Sequence, residues 1–212
     1  NVGISNKGRF TLLGNLQVNG KKSSGIYNTG ETTISVGTSP TAKTNITVTN
    51  GATALYSKGV GTKIESNAGN KLNITVNAGT TKEGLAVYAE DKSQVTLHNA
   101  NINVNGGSAG VASYDEGTNI DLEGATLKYN GNGYAVYSDG NGEIDLRNNA
   151  KLTLRGKSTA FDLDLGSSTP PIKLDSTTRI EVDSNDVVVF NLKNASGLSS
   201  TGLAASITSA IA

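Results

Sequence analysis

The stretch Tyr134-Ala135-Val136-Tyr137-Ser138-Asp139-Gly140-Asn141-Gly142-Glu143-Ile144-Asp145-Leu146 decides the fold, because variants of it recur along most of the chain. Aligned on Tyr137, the same strand, turn and strand are found as Gly25-Ile26-Tyr27 with Ile34, Ala54-Leu55-Tyr56 with Ile64, Ala86-Val87-Tyr88 with Val95, and Val111-Ala112-Ser113 with Ile120. Two degenerate copies centre on Phe161 and Phe190. The markers at 27, 56, 88, 113, 137, 161 and 190 are 29, 32, 25, 24, 24 and 29 residues apart. That spacing suits stacked supersecondary units, none of which buries its apolar face alone.

Within each unit the apolar residues alternate with polar ones, which marks short strands with one face inward. Three strands fit each turn, as in Ile26-Tyr27, Ile34-Ser35-Val36 and Ile46-Thr47-Val48. Later units repeat the scheme with Ile64 and Ile74-Thr75-Val76, Val95-Thr96-Leu97 and Ile102-Asn103-Val104, then Ile120-Asp121-Leu122 and Leu127. The third strands end at a polar corner: Asn19-Gly20, Asn50-Gly51, Asn105-Gly106, Asn130-Gly131 and Arg155-Gly156. Asn and Gly tolerate positive φ, so one backbone bend can recur in every turn. Asn-Gly also suits a two-residue hairpin, which makes an antiparallel sandwich the rival fold. A meander, however, has no need of an apolar triplet, a polar corner and an aromatic at near-constant offsets. The expected fold is all-β, a parallel β-helix of about seven turns with three short strands each.

The repeat begins in mid-unit, with Phe10 and Leu12 in a second-strand position, which suggests a piece of a longer protein. A single β-helix domain is expected over 1–192, with 193–212 as a tail or partial next unit. After Phe161 a Pro170-Pro171 loop leaves the sheet, since proline cannot donate to a ladder, and Ile180-Glu181-Val182 is read as the second strand resuming.

Composition narrows the function. The chain has 212 residues, with Lys plus Arg equal to Asp plus Glu at 18 each, so no net field recruits nucleic acid or an anionic membrane. It contains 26 Gly and only 3 Pro, and no Cys, Met or Trp, which removes disulfides, thiolate metal sites and cysteine nucleophiles. No run approaches the roughly 18 apolar residues of a membrane span, and the first residues carry neither the basic nor the apolar region of a signal peptide.

The glycine-aliphatic-Tyr strand, the acidic or Asn-Gly turn, the Ile-x-Leu strand and the polar corner, over about residues 8–192, resemble the right-handed parallel β-helix passenger regions of bacterial autotransporters. These include the pertactin-like and large adhesin types. The resemblance implies a right-handed helix, a rod displayed on or released from a bacterial surface, export through a separate membrane barrel, and adhesion. It implies no particular receptor.

Three groups of residues carry candidate chemistry. The single histidine, His98, stands where the next two units have Glu123 and Arg147, and lacks companions in the sequence for catalysis or metal binding. Second-strand positions superpose Ser35, Glu65, Thr96, Asp121, Asp145 and Glu181 in one column, and Thr33, Lys63, Gln94, Asn119, Glu143 and Arg179 in its neighbour. Asp121 beneath Asp145, ~4.8 Å away, would be a like-charge contact, read either as a solvated face compensated by Arg147 or as a calcium or glycosidase-like carboxylate site.

The third group is the aromatic column Tyr27, Tyr56, Tyr88, Tyr137, Phe161 and Phe190, broken at Ser113, where Tyr114 is adjacent. Apolar residues precede each ring, so the rings face outward if those residues face inward; the opposite assignment gives an internal stack. An outward column makes Tyr56, Tyr88 and Tyr137 candidate ligand-binding residues. The sequons Asn45-Ile-Thr47, Asn73-Ile-Thr75 and Asn194-Ala-Ser196 are expected to stay unmodified in a bacterial protein. The expected function is therefore non-enzymatic attachment at the cell surface, without cofactor or metal. Its partner would be a host-surface protein or glycan, or another bacterial cell. The alternatives are a polysaccharide lyase or hydrolase using Asp121, Asp145 and Glu143, or a structural spacer.

Overall fold

A computed structural model describes residues 2–37, 39, 41–66, 71–139, 141–165 and 171–194. Every regular element among them is a strand, and every pairing between strands is parallel. Three sheets of eight, seven and seven strands run side by side along one axis, each strand pairing with the equivalent strand one turn away. This is the expected parallel β-solenoid with three strands per turn. At ~4.8 Å per step, seven strands stack over roughly 30 Å.

Inward side chains stack as columns in register. In the second sheet Ile34, Ile64, Val95, Ile120, Ile144 and Ile172 lie one above another. In the third sheet Ile46, Ile74, Ile102, Leu127 and Leu152 do the same. Leu122, Ile144 and Leu146 are buried, as their alternation with acidic residues requires. The outer face of the third sheet carries an asparagine ladder: the Nδ2 of Asn45 donates to Asn15 (2.7 Å), that of Asn73 to Asn45 (2.8 Å) and that of Asn101 to Asn73 (3.3 Å). At the corners, Gly51, Gly106 and Gly156 adopt φ of 84°, 77° and 77°, where a side chain would be strained. Gly131 does not join them; the Tyr129 hydroxyl lies 3.0 Å from where its Cβ would sit.

The first-sheet strands bend. In Tyr134–Asp139 the side chains of Ala135 and Val136 are both buried, while Tyr134, Tyr137 and Asp139 are half-buried. Thr53–Lys58 and Leu85–Glu90 share this pattern. Two adjacent inward residues break the period of two, so the ladder pairs Tyr134 with Ala109 and Val136 with Val111 but skips the residues between. The skipped position is kept small: a Cβ on Gly110 would lie 2.5 Å from the Ala135 carbonyl oxygen.

Three expectations are corrected by the register. Val2–Asn6 forms a first-sheet strand ahead of Phe10–Leu12, with Ile4 facing Ile26 and Ser5 facing Tyr27, so a first-sheet strand precedes the mid-unit start read from sequence. Tyr88 and Tyr137 both align with Ala112 rather than Ser113, and Phe161 aligns with Val136. Phe161 is therefore inside the solenoid, stacked on Phe190 at 4.9 Å, and Asp162 and Asn191 continue the Tyr137 column. Finally, Arg179–Val182 belongs to the third sheet, where Glu181 faces Thr153 and Arg179 faces Lys151; the second sheet ends in Ile172–Lys173. Lys173, not Glu181, follows Asp145. Most of the Pro-Pro loop, the sequon residue Ser196 and the tail 195–212 lie outside the described residues.

Candidate functional site

The bend puts Tyr134 and Tyr137, three residues apart, on the same outer face. Tyr27, Tyr56 and Tyr88 stack along that face with ring centroids 4.7 Å apart at each step, and edge and tilted geometries suit the ring quadrupoles. At the next turn the column holds Ala112, whose methyl leaves the ring position unfilled. Tyr114, two residues on, leans across the gap, with its ring 5.0 Å from Tyr88 and 5.4 Å from Tyr137. Tyr134 closes the other side, 5.5 Å from Tyr137. The result is a recess of about 280 Å³ with Ala112 at its floor, walled by Tyr88, Tyr114, Tyr134 and Tyr137 and reached by Lys193.

The hydroxyls on one side are anchored by Glu90. It accepts from the Tyr56 hydroxyl, from the Tyr88 hydroxyl at 2.8 Å and from Lys58 Nζ at 2.8 Å. Partial burial works against its charge, but these donors prevail and hold the Glu90 carboxyl below its ordinary range. Burial, and then Glu90, push the Tyr56 and Tyr88 phenols far above theirs. Burial pushes Tyr114 up to about 12 and raises Tyr137 as well. These rings stay neutral at any physiological pH.

Lys193 approaches from the last first-sheet strand, Val188–Lys193. Its Nζ lies 2.6 Å from Asp162 Oδ1 and 5.6 and 5.5 Å from the Tyr134 and Tyr137 ring centroids. Asp162 is fully buried, and its second oxygen accepts from Asn191 at 2.6 Å. The buried carboxylate thus fixes the ammonium against the aromatic wall, and the recess combines flat apolar faces with one cation already matched by an anion.

Of the three candidate binding residues, Tyr88 and Tyr137 line the recess, whereas Tyr56 lies one turn beyond Tyr88 and supports it through ring contact and Glu90. Sequence reasoning gives no role to Tyr134, Lys193 or Glu90. A second tyrosine three residues before Tyr137 is visible there, but the strict period of two hides that both share a face.

The second-sheet carboxylates stand on another face. Asp121 and Asp145 are in register, as expected, and Arg147 compensates Asp145 by a two-pronged contact, 2.9 Å from Nε and 2.5 Å from Nη2. Glu143 is held by Lys173 at 2.6 Å and Asn119 at 2.7 Å. His98 Nε2 sits 2.9 Å from Asp121 Oδ2. The sequon residues Asn45 and Asn73 engage their amides in the asparagine ladder. Compared with known proteins, the chain matches no family model, no curated protein and no solved structure.

Proposed function

We propose that the chain is a non-enzymatic, surface-displayed segment of a bacterial autotransporter adhesin, working outside the cell. It attaches to saccharides on host or neighbouring cells through the tyrosine recess. The β-solenoid architecture and the resemblance of its repeats to autotransporter passengers support the setting. The observation that carries the binding role is the recess over Ala112, where four tyrosines converge at the break between Tyr88 and Tyr137 in their column. Aromatic faces accept the C–H surfaces of sugar rings, and polar groups at the rim set orientation. Repetition of such rods on one cell multiplies a weak contact into firm attachment.

A glycan array probed with the chain and with Tyr137→Ser, each also melted, tests this. Selective binding that disappears in Tyr137→Ser with a nearly unchanged melting temperature supports the site. Binding that survives the substitution overturns it, and absence of any binding leaves the spacer reading. A lyase or hydrolase would instead release new reducing ends or unsaturated products from polysaccharides. Asp145 and Glu143 are already engaged by Arg147 and Lys173, which favours binding over cleavage.

A further inference from the structure

We propose that His98, Asp121 and Glu123 form a surface site for a divalent transition cation of the zinc type, tying two neighbouring turns together. His98 follows the strand Gln94–Leu97, and Asp121 ends the strand stacked on it, Asn119–Asp121, so the ladder itself brings ligands 23 and 25 residues apart to one place. One donor atom from each residue lies within 4.8 Å of the others. Donors bound to one ion at about 2.0–2.2 Å, at angles between square and tetrahedral, are separated by roughly 2.8–3.6 Å. His98 Nε2 and Asp121 Oδ2, hydrogen-bonded at 2.9 Å, stand at the short end of that range and need only a slight parting to admit an ion. Glu123 closes the remaining distance by side-chain rotation.

The surroundings orient these groups as a metal's supporting shell does. Asp121 Oδ1 accepts the Glu123 backbone N–H at 3.0 Å, which turns Oδ2 toward the imidazole. Glu123 Oε2 accepts from Asn148 at 2.5 Å, and Oε1 faces Arg147 Nη2 at 3.6 Å, a loose contact that an ion would replace. Holding one oxygen of Asp121 fixes the other, which lowers the ordering cost of coordination there. Charge favours a dication too. Asp121, Glu123 and Asp145 bring three negative charges, and Arg147 answers one of them through its 2.5 Å contact with Asp145, standing 3.6 Å from Glu123. Two carboxylates then face one imidazole. The three side chains are a quarter to a third exposed, open to ions from solution. An imidazole with two carboxylates selects zinc-like ions over calcium, which prefers more oxygen ligands.

The test uses zinc chloride and the whole chain. Calorimetry is expected to show one zinc per chain, weakened at least tenfold in both His98→Gln and Asp121→Asn. Arg147→Gln, which removes the guanidinium near Glu123, is expected to tighten it. Because His98 is the only histidine in the chain, its ring resonances report binding without any substitution. Zinc must shift them in step with the calorimetric saturation. No zinc uptake, uptake equal in the variants, unmoved His98 resonances, or calcium bound as tightly as zinc would each overturn the site.

Discussion

Replacing Ile144 by alanine tests the register of the core most directly. Its side chain is completely buried in the second sheet between Ile120 and Ile172, and its N–H donates to the Pro171 carbonyl at 2.8 Å. The change removes three carbons, worth ~0.8 kcal/mol each, or ~2.4 kcal/mol in lost transfer free energy. Ladders above and below hold the strand in place, so the cavity collapses little and the total rises to about 4 kcal/mol. With an m-value of about 2 kcal/mol/M, the urea midpoint should fall by about 2 M. Val182→Ala, in the last third-sheet strand at 46% exposure, serves as the control and should cost under about 1 kcal/mol. Ile144→Asp should exceed the alanine variant, because the carboxylate enters an apolar column. A shift below about 0.5 M for Ile144→Ala, or one equal to the control, would refute the register.

Three further outcomes are expected. Tyr56→Phe keeps the ring but withdraws a donor from Glu90, so thermal unfolding should register a loss of about 1 kcal/mol while saccharide binding, which uses the next turn, stays intact. Lys193→Met strips the ammonium from fully buried Asp162 and should cost about 2–3 kcal/mol, less than for a wholly buried pair because Asn191 still donates; Asp162→Asn in the same chain should restore most of it. Asp175 accepts the backbone N–H of Asn148 and bonds from Thr177, which hold its carboxyl down at about 2. With the folded value below the unfolded ~3.9, this contribution is present above pH ~4 and is lost as pH falls toward 2. Melting temperatures over that range should fall less steeply in Asp175→Asn.

The aliphatic columns are legible in the sequence because buried neighbours one turn apart must match in size and polarity, and Ile120, Ile144 and their equivalents do. The aromatic column, read from sequence, falls one residue out of phase at Ser113 and Phe161. The bend sets two consecutive residues inward, so a ring can follow or replace an aliphatic without changing the local pattern. Ile180-Glu181-Val182 goes to the wrong sheet because second and third strands share the same alternation, and the true second strand is only two residues long. Tyr114 stands out beside the break, but nothing local says that its ring spans it. His98 looks solitary because its companions come from the following turn. The column comparison already sets Glu123 at the equivalent position, and that is the available signal.

Parallel stacking also decides how the chain would answer a pull. The ladder bonds lie along the stacking axis, so tension between the two ends loads them lengthwise and concentrates on the outermost turn. Each turn is joined to the next by its own bonds and columns alone. Extension should therefore proceed as a series of small, similar ruptures that release chain one coil at a time, absorbing work at each step. Mechanical toughness in such a rod comes from the number of coils rather than from the strength of any one.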